Sequence, residues 1–294
     1  MRTNSPIPAG LEGRPPLELR AGASRVLIDP DRGGRLSSWT VGERELLVGP
    51  PDDDDRSVRW GCFLMAPWPG RLADGQFEWA GSTVRLPRTH GRHAIHGLLW
   101  ARPWQVEAAG EDRALLSIAL GPAGWPMGGR VRHQMQLGTD RLVLRAEIEA
   151  DEPMPAAVGW HPWFRRDGEV RLRVAGDATL ATDRMLPTGK VEPVIGRTDL
   201  RGGARLGRRR LDHTYVDAAS PAVLRWPDLE LAIEFTPSPA TVQVYTPPGA
   251  VCLEPQTAWP NALAAPANAW HRAGVRMLDA GEVLRAEVVM SWRQ

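Results

Sequence analysis

The stretch Leu229-Glu-Leu-Ala-Ile-Glu-Phe235 places a large apolar side chain at every odd position. Successive side chains of a β-strand point to opposite faces of a sheet, so this spacing gives one apolar face and one face that meets water. A half-buried strand of an antiparallel sheet has this pattern. The stretch therefore predicts such a strand.

Short segments with strand-like patterns recur on both sides of this stretch. The sequence contains 30 Gly and 27 Pro, spread throughout, which leave few windows long enough for a helix. The predicted strands span residues 24–28, 35–41, 76–79, 113–120, 129–137, 141–150, 170–174, 222–226, 229–235, 241–245 and 282–292. So many strands predict an all-β protein, a large antiparallel β-sandwich folded as one domain, 1–294.

The composition is that of an ordinary globular protein, with 43% hydrophobic and 24% charged residues. Lys and Arg (36) nearly cancel Asp and Glu (35), so no net charge draws the protein to nucleic acid or to an anionic membrane. A small neutral ligand fits this balance better. The first ten residues lack the apolar core of a signal peptide, and no apolar run approaches the roughly 18 residues of a membrane helix, so we expect a cytoplasmic protein.

Two charge runs and two cysteines have simple interpretations. The aspartates at 52–55 and the arginines between Arg201 and Arg210 lie in turn-rich sequence and are expected to form solvated loops. Cys62 and Cys252 are expected to be buried free thiols, although the sequence does not exclude a disulfide between them.

His161 and Glu254 each lie inside an otherwise apolar run, in Ala157-Val-Gly-Trp-His161-Pro-Trp-Phe164 and Val251-Cys-Leu-Glu254-Pro-Gln256. A polar group in a buried strand costs about 1–3 kcal/mol unless it has a partner, so both positions require an explanation. One explanation is a general acid and a general base that face each other across a substrate. The alternatives are a core histidine with satisfied hydrogen bonds and a glutamate that caps a strand or pairs with an arginine.

Four segments, in order along the chain, carry a more specific pattern. They are Arg71-Leu-Ala-Asp-Gly-Gln-Phe77, His93-Ala-Ile-His96-Gly97, Gly159-Trp-His161-Pro-Trp163-Phe164, and the string from Gln243-Val-Tyr245-Thr through Cys252-Leu-Glu254-Pro-Gln256-Thr to Pro260-Asn261-Ala262. Together they resemble the aldose 1-epimerase (galactose mutarotase) family over most of the chain. His93 stands where the family has Asn, Leu98 where a second Gly is frequent, and Trp163 where it has Tyr.

The resemblance implies a galactose mutarotase-like supersandwich and the interconversion of the α and β anomers of an aldose. This reaction removes the proton of the anomeric hydroxyl while the ring oxygen gains one, so it needs a base and an acid. Glu254, ionised near pH 7, is the implied base, and a protonated His161 the implied acid. No metal or organic cofactor is required.

Five further residues are implied to contact the sugar: His96, Arg71, Asp212, Trp163 and Gln256. Asp212, in Leu211-Asp-His-Thr-Tyr215, resembles a further aspartate of the family through a shorter match. Alternatively, Arg71 is an ordinary turn cation and Asp212 a surface counter-ion of the neighbouring arginines. Tryptophans stack on the apolar faces of sugars, and one or two of those near the motifs are expected to line the pocket: Trp68, Trp100, Trp160, Trp163 and Trp259.

Other functions remain open at this point. Because Arg201–Arg210 directly precedes Asp212, the loop could reach a phosphate or sulfonate on a modified sugar. A sugar-binding protein without catalysis would keep the same pocket, and a glycosidase would need a second carboxylate in a comparable motif. His90, His93 and His96 do not predict a metal site, since residues i and i+3 of a strand face opposite sides. The preferred sugar and the oligomeric state are not readable from the sequence.

Overall fold

β-Strands account for most of the chain in the computed structural model, which describes residues 14–51, 57–237 and 240–294. The aspartates at 52–55 lie outside the described residues. The strands are β1 (Leu17–Ala21), β2 (Ser24–Asp29), β3 (Arg35–Val41), β4 (Arg44–Glu45), β5 (Cys62–Met65), β6 (Arg71–Leu72), β7 (Gln76–Trp79), β8 (Ser82–Arg85), β9 (Ala94–Ile95), β10 (Gln105–Ala109), β11 (Arg113–Ala119), β12 (Arg130–Leu137), β13 (Arg141–Glu149), β14 (Met154–Ala156), β15 (Gly159–Arg165), β16 (Arg171–Ala175), β17 (Ala178–Asp183), β18 (Leu186–Pro193), β19 (Ala204–Arg205), β20 (Asp212–Arg225), β21 (Glu230–Thr236), β22 (Ala240–Tyr245), β23 (Ala250–Gln256), β24 (Arg276–Leu278) and β25 (Val283–Arg293).

Helical structure is limited to short pieces between the strands. The α-helix α1 spans Leu120–Ala123, and 3₁₀ turns occupy Pro30–Arg32, Ala73–Gly75, Gly196–Thr198, Ala262–Ala264 and Ala267–Ala269. Within the three described ranges, no helix has the length and apolar character needed to cross a membrane.

The all-β prediction is confirmed, and each of the predicted segments overlaps a strand. Two differences are informative. The segment 222–226 is only the end of the much longer β20, and the hairpin formed by β17 and β18 was not predicted. β18 has almost no buried side chains, so it lacks the alternating apolar pattern on which the prediction depended.

Two antiparallel sheets are joined through the long strand β20. One sheet runs β10, β11, β12, β13, β25, β21 and then the second half of β20 with β16. The other runs β1, β2, β3, β5, β15, β23, β22 and then the first half of β20 with β17 and β18. β20 reaches both sheets because it has 14 residues.

The main apolar core contains side chains from both sheets, and a hydrogen bond connects the sheets inside it. Trp160 of β15 donates from Nε1 to Nε2 of the fully buried His133 of β12, at 3.1 Å. Since side chains alternate along β15, His161 and Trp163 point away from this core, to the outer face of the second sheet. Both cysteines are buried free thiols, as expected.

Candidate active site

A row of aligned side chains crosses the outer face of the second sheet. Phe63 of β5 is paired with His161 of β15, and the flanking pairs of β15 and β23 set His161 opposite Glu254. Glu254 is in turn paired with Gln243 of β22, and Gln243 with Thr214 of β20. Directly paired residues of an antiparallel sheet point to the same face, so the pairing alone collects these five side chains from distant parts of the chain.

His161 and Glu254 form a close buried pair at the centre of this row. His161 Nε2 lies 3.4 Å from Glu254 Oε1, and the two side chains are only 5% and 3% exposed. The two residues that the sequence singled out as polar members of apolar runs therefore meet each other.

Gln256 orients the carboxylate of Glu254. The two residues are two positions apart on β23 and share a face, and Gln256 Nε2 donates to Glu254 Oε2 at 3.2 Å. Space for the glutamine comes from Gly159, opposite it on β15: a Cβ atom at Gly159 would lie 2.9 Å from Gln256 Cγ. The glycine of the Gly-Trp-His segment thus has a packing role beside the pair.

His96 reaches the pair from outside the sheet. Its ring meets the His161 ring edge-on, with the centroids 4.8 Å apart, and its side chain is buried. The residue adopts a left-handed backbone conformation (φ 58°) just before Gly97 (φ 75°), where a Cβ would lie 1.9 Å from the carbonyl oxygen of Ala66. Only glycine permits this approach, and the resulting turn directs His96 inward.

Arg71 belongs to the same wall. Its strand β6 pairs with β9 immediately before His96, and its positive charge acts on the side chains of His96, Glu254 and Asp212. Asn261 holds this segment, because its Oδ1 accepts a hydrogen bond from the N–H of Ala73 at 2.8 Å and its N–H donates to the Arg71 carbonyl at 2.7 Å. No described residue forms an ion pair with the Arg71 guanidinium.

Asp212 lies at the open rim of the row, accessible to solvent. Gln243 Nε2 donates to Asp212 Oδ1 at 2.6 Å, and the Thr214 hydroxyl donates to Gln243 Oε1 at 2.5 Å. Gln243 therefore fixes the orientation of the carboxylate. Partial desolvation of the carboxylate by the surrounding protein raises the pKa of Asp212, and the charge of Arg71 opposes that shift.

Aromatic rings form the floor of the site. Trp163 stacks on His161 with the ring centroids 5.3 Å apart and the planes nearly parallel, and the centroid of the Phe63 ring lies 4.9 Å from that of His161. Trp100 is 6.3 Å from Phe63 and only partly buried. Trp160 and Trp68 pack elsewhere, against His133 and Trp125. Of these four tryptophans, Trp163 contacts His161 directly, and Trp100 contacts Phe63, which in turn contacts His161.

Four polar atoms at this site are buried without a hydrogen-bond partner in the described protein: Nδ1 of His96, Nδ1 of His161, Nε1 of Trp163 and Oε1 of Gln256. Buried polar atoms are normally satisfied, so a cluster of them marks a place where a polar ligand can make hydrogen bonds. The two imidazole nitrogens can donate or accept, the indole nitrogen donates, and the amide oxygen accepts. This combination suits the hydroxyl groups of a polyol, which both donate and accept hydrogen bonds.

Burial shifts the pKa values of the three ionisable side chains at the centre of the site. Burial raises the pKa of Glu254 well above its usual range, and the charge of Asp212 adds to that shift. Burial, with the nearby cation of Arg35, lowers the pKa of His161 to about 3. The pKa of the buried His96 is also well below its usual value. Burial thus favours both groups in the neutral form, whereas the sequence led us to expect an ionised glutamate beside a protonated histidine.

Arg35, Gln243 and Phe63 contribute to the site but were not predicted as site residues. Arg35 is fully buried, with its guanidinium carbon 5.0 Å from the centre of the Phe63 ring, and it donates to the carbonyl oxygens of Ser57 and Trp100. The sequence did offer a signal for Arg35, because it is a charged residue within the predicted strand 35–41. Gln243 belongs to the fourth segment that resembles the family, but only its strand pairing with Glu254 shows that it lies at the site.

Two arginines of the arginine-rich loop and His93 have partners of their own outside the central pair. Arg201 forms ion pairs with Asp177 and Asp199, at 2.8 and 2.7 Å, and Arg205 forms one with Glu169 at 2.7 Å. His93 Nδ1 accepts a hydrogen bond from the N–H of Asp74 at 3.1 Å, and the backbones of His90 and His93 pair with each other. The ring of His96 contacts His161, whereas His90 acts on the site only through its charge, which contributes to the lowered pKa of His96.

Comparison with known proteins decides the family. The family model described as aldose 1-epimerase matches residues 16–291. The chain belongs to the aldose 1-epimerase family. A family of this kind implies an isomerase.

Individual members of the aldose 1-epimerase family have low sequence identity to this chain. The Escherichia coli K12 protein YphB is 24% identical over 214 residues, which cover 71% of this chain and 73% of that protein. The aldose 1-epimerase of the same organism is 25% identical over 188 residues, covering 57% of this chain and 54% of that enzyme.

Solved structures agree in fold. The GalM/aldose epimerase homologue from C. elegans has a TM-score of 0.84 at 18% identity, covering 95% of this chain and 98% of that one. A galactose mutarotase-like protein from Clostridium acetobutylicum has a TM-score of 0.81 at 19% identity, covering 94% of each chain. The predicted galactose mutarotase-like supersandwich is thereby confirmed.

Proposed function

We propose that this member of the aldose 1-epimerase family is a cofactor-independent mutarotase, which interconverts the α and β anomers of an aldose. The observation that carries the proposal is the buried pair of His161 and Glu254, 3.4 Å apart, with unpartnered polar atoms around it. A binding protein needs hydrogen-bond partners for a sugar, but a matched proton donor and acceptor beside each other serve proton transfer.

The reaction proceeds through the open-chain sugar. Glu254 removes the proton of the anomeric hydroxyl, the bond between the anomeric carbon and the ring oxygen breaks, and His161 donates a proton to that oxygen. The aldehyde then rotates about its bond to the next carbon. Reversal of both transfers, with attack of the hydroxyl on the other face of the carbonyl, gives the opposite anomer.

Glu254 and His161 need only one proton between them for this chemistry. In the neutral form that burial favours, the proton is on Glu254, whereas the proposed mechanism begins with it on His161. Both arrangements have the same total charge, so passage from one to the other does not require exchange with solvent. A sugar hydroxyl that donates to Glu254 and a ring oxygen that accepts from His161 both favour the second arrangement.

The remaining residues position the substrate. His96 and Arg71, on the wall, are proposed to donate to ring and hydroxyl oxygens, and Asp212, held by Gln243, to accept from sugar hydroxyls at the rim. Trp163, stacked on His161, supplies an apolar surface and an indole N–H. Gln256 keeps the Glu254 carboxylate in place.

Optical rotation of freshly dissolved α-D-galactose and α-D-glucose tests the proposal, with spontaneous mutarotation as the baseline. The wild-type protein should accelerate the approach to equilibrium, and Glu254→Gln should lower kcat by about 10²–10⁴-fold, the usual contribution of a general base. Glu152→Gln is a matched control, because Glu152 is exposed on the surface. Equal activity of Glu254→Gln and wild type would refute the role of the base.

The same assay separates the alternatives. Binding of a sugar by calorimetry without faster anomer exchange would identify a sugar-binding protein instead. Acceleration only with sugar phosphates or sulfonates would identify an anionic substrate. Arg201 and Arg205 are engaged in ion pairs with acidic residues, so a neutral aldose is the first substrate to test.

A further inference from the structure

Three buried side chains at the centre of the site form a possible set of metal ligands. His96, His161 and Glu254 each offer one ligand atom, and these atoms all lie within 4.8 Å of one another. His161 Nε2 and Glu254 Oε1 are 3.4 Å apart. Two atoms bound to one tetrahedral zinc ion at about 2.0–2.1 Å are separated by about 3.3 Å. The pair of His161 and Glu254 is already at this spacing, and His96 would have to approach by at most about 1.5 Å.

We propose that His96, His161 and Glu254 form an inhibitory site for a divalent transition-metal ion, with Zn²⁺ as the best match. Two imidazole nitrogens and one carboxylate oxygen are the three-ligand donor set of many zinc sites, which leave a fourth position for water. Ca²⁺ and Mg²⁺ are excluded as good fits because they prefer sites built from oxygen atoms.

The surroundings support occupancy by a cation. Gln256 Nε2 donates to the second oxygen of Glu254 at 3.2 Å, which leaves Oε1 directed toward the histidines and holds the carboxylate as an outer-shell partner would. The negative charge of Asp212 acts on Glu254 and favours a cation, whereas the positive charges of Arg71 and Arg35 act on the same three side chains and limit the affinity. The aromatic rings of Phe63 and Trp163 both pack against the His161 ring and help to fix its orientation.

This inference deepens the proposed function, on which its inhibitory part rests. The atoms that would bind the ion are those proposed to exchange protons with the sugar, so metal and sugar cannot be engaged at the same time. Zn²⁺ is therefore expected to raise the apparent KM for the sugar while kcat at saturating sugar stays unchanged. The metal-binding part does not depend on catalysis.

Co²⁺ titration of the untagged, chelator-treated protein in the absence of sugar is the decisive experiment. Co²⁺ with four or five protein and water ligands has intense visible bands that the six-coordinate aqueous ion lacks. We expect such bands to saturate at one equivalent and to disappear when one equivalent of Zn²⁺ is added. His96→Gln should weaken Co²⁺ binding at least tenfold, while His271→Gln, which removes an exposed histidine, should leave it unchanged.

Other results would overturn the assignment. These are a spectrum that stays that of the aqueous ion, bands that persist at full strength in His96→Gln, or bands lost equally in His271→Gln. Circular dichroism of His96→Gln checks its fold, and the wild-type stoichiometry and Zn²⁺ displacement test the site even if that variant does not fold. Because the spectra are recorded without sugar, a protein that binds Co²⁺ but does not catalyse mutarotation would refute only the proposed function.

Discussion

Gly159→Ala is a small change that should reach the proposed base through one neighbour. A Cβ atom at this position would lie 2.9 Å from Gln256 Cγ, 2.9 Å from Met65 Cε and 3.0 Å from the carbonyl oxygen of Pro255. The end of Met65 is flexible and the Pro255 backbone is not, so Gln256 must move. Overpacking of this kind costs about 1–3 kcal/mol of stability.

The effect on activity follows from the hydrogen bond that Gln256 makes. Its Nε2 lies 3.2 Å from Glu254 Oε2, and a hydrogen bond to a charged group contributes about 1.5–3 kcal/mol. At about 1.4 kcal/mol for each factor of ten, complete loss of this bond corresponds to a decrease of about 10- to 150-fold in kcat/KM. The decrease in kcat/KM caused by Gly159→Ala should fall within this range even under conditions in which the variant is fully folded.

A double-mutant cycle tests this reasoning. Gln256→Ala removes both the Cγ atom and the hydrogen bond, so Gly159→Ala added to it should lower kcat/KM by less than about threefold. Optical rotation gives the activities, and thermal unfolding checks that each variant is folded at the assay temperature. If the losses of the two single variants simply multiply in the double variant, the two residues act independently and the reasoning is refuted.

Three further predictions concern charge, orientation and backbone. Burial lowers the pKa of His133 to about 3, so this histidine stabilises the fold fully above pH 6.5 and progressively less as the pH falls toward 3. The loss is about 5 kcal/mol, and it should disappear from the pH dependence of urea unfolding in His133→Gln. Gln243→Leu removes the bond to Asp212 and should raise KM about tenfold with little change in kcat, measured by initial rates. Equal changes in both constants would contradict a role in substrate positioning. Asn261→Ala loses the 2.8 Å bond to Ala73 at a residue with φ 63°, and denaturant unfolding should show a loss of about 2 kcal/mol, of which Asn261→Gly recovers the backbone part.

The proposed pairing of Glu254 and His161 also constrains how pH affects catalysis. With one proton shared between them, the active form is lost when the pair gains a second proton or gives up its only one. The profile of kcat/KM should therefore be bell-shaped, and its two apparent pKa values belong to the pair and not to either residue.

Local sequence patterns predicted the strands whose two faces differ. Leu229–Phe235 alternates because one face of β21 packs in the core and the other meets solvent, and all the predicted segments overlap strands for the same reason. The hairpin of β17 and β18 was missed because nearly all of β18 is exposed. A strand without a buried face leaves no periodic signal.

The sequence by itself also identified His161 and Glu254 as the central residues of the candidate site. Both are polar residues within apolar runs, and both belong to motifs that resemble one family. Their distance and their protonation were decided only by the tertiary structure. The sheet register brings residues from β15 and β23 to 3.4 Å, and burial then favours the neutral form of both side chains. Register and desolvation depend on neighbours far away in the chain, so no local pattern contains them.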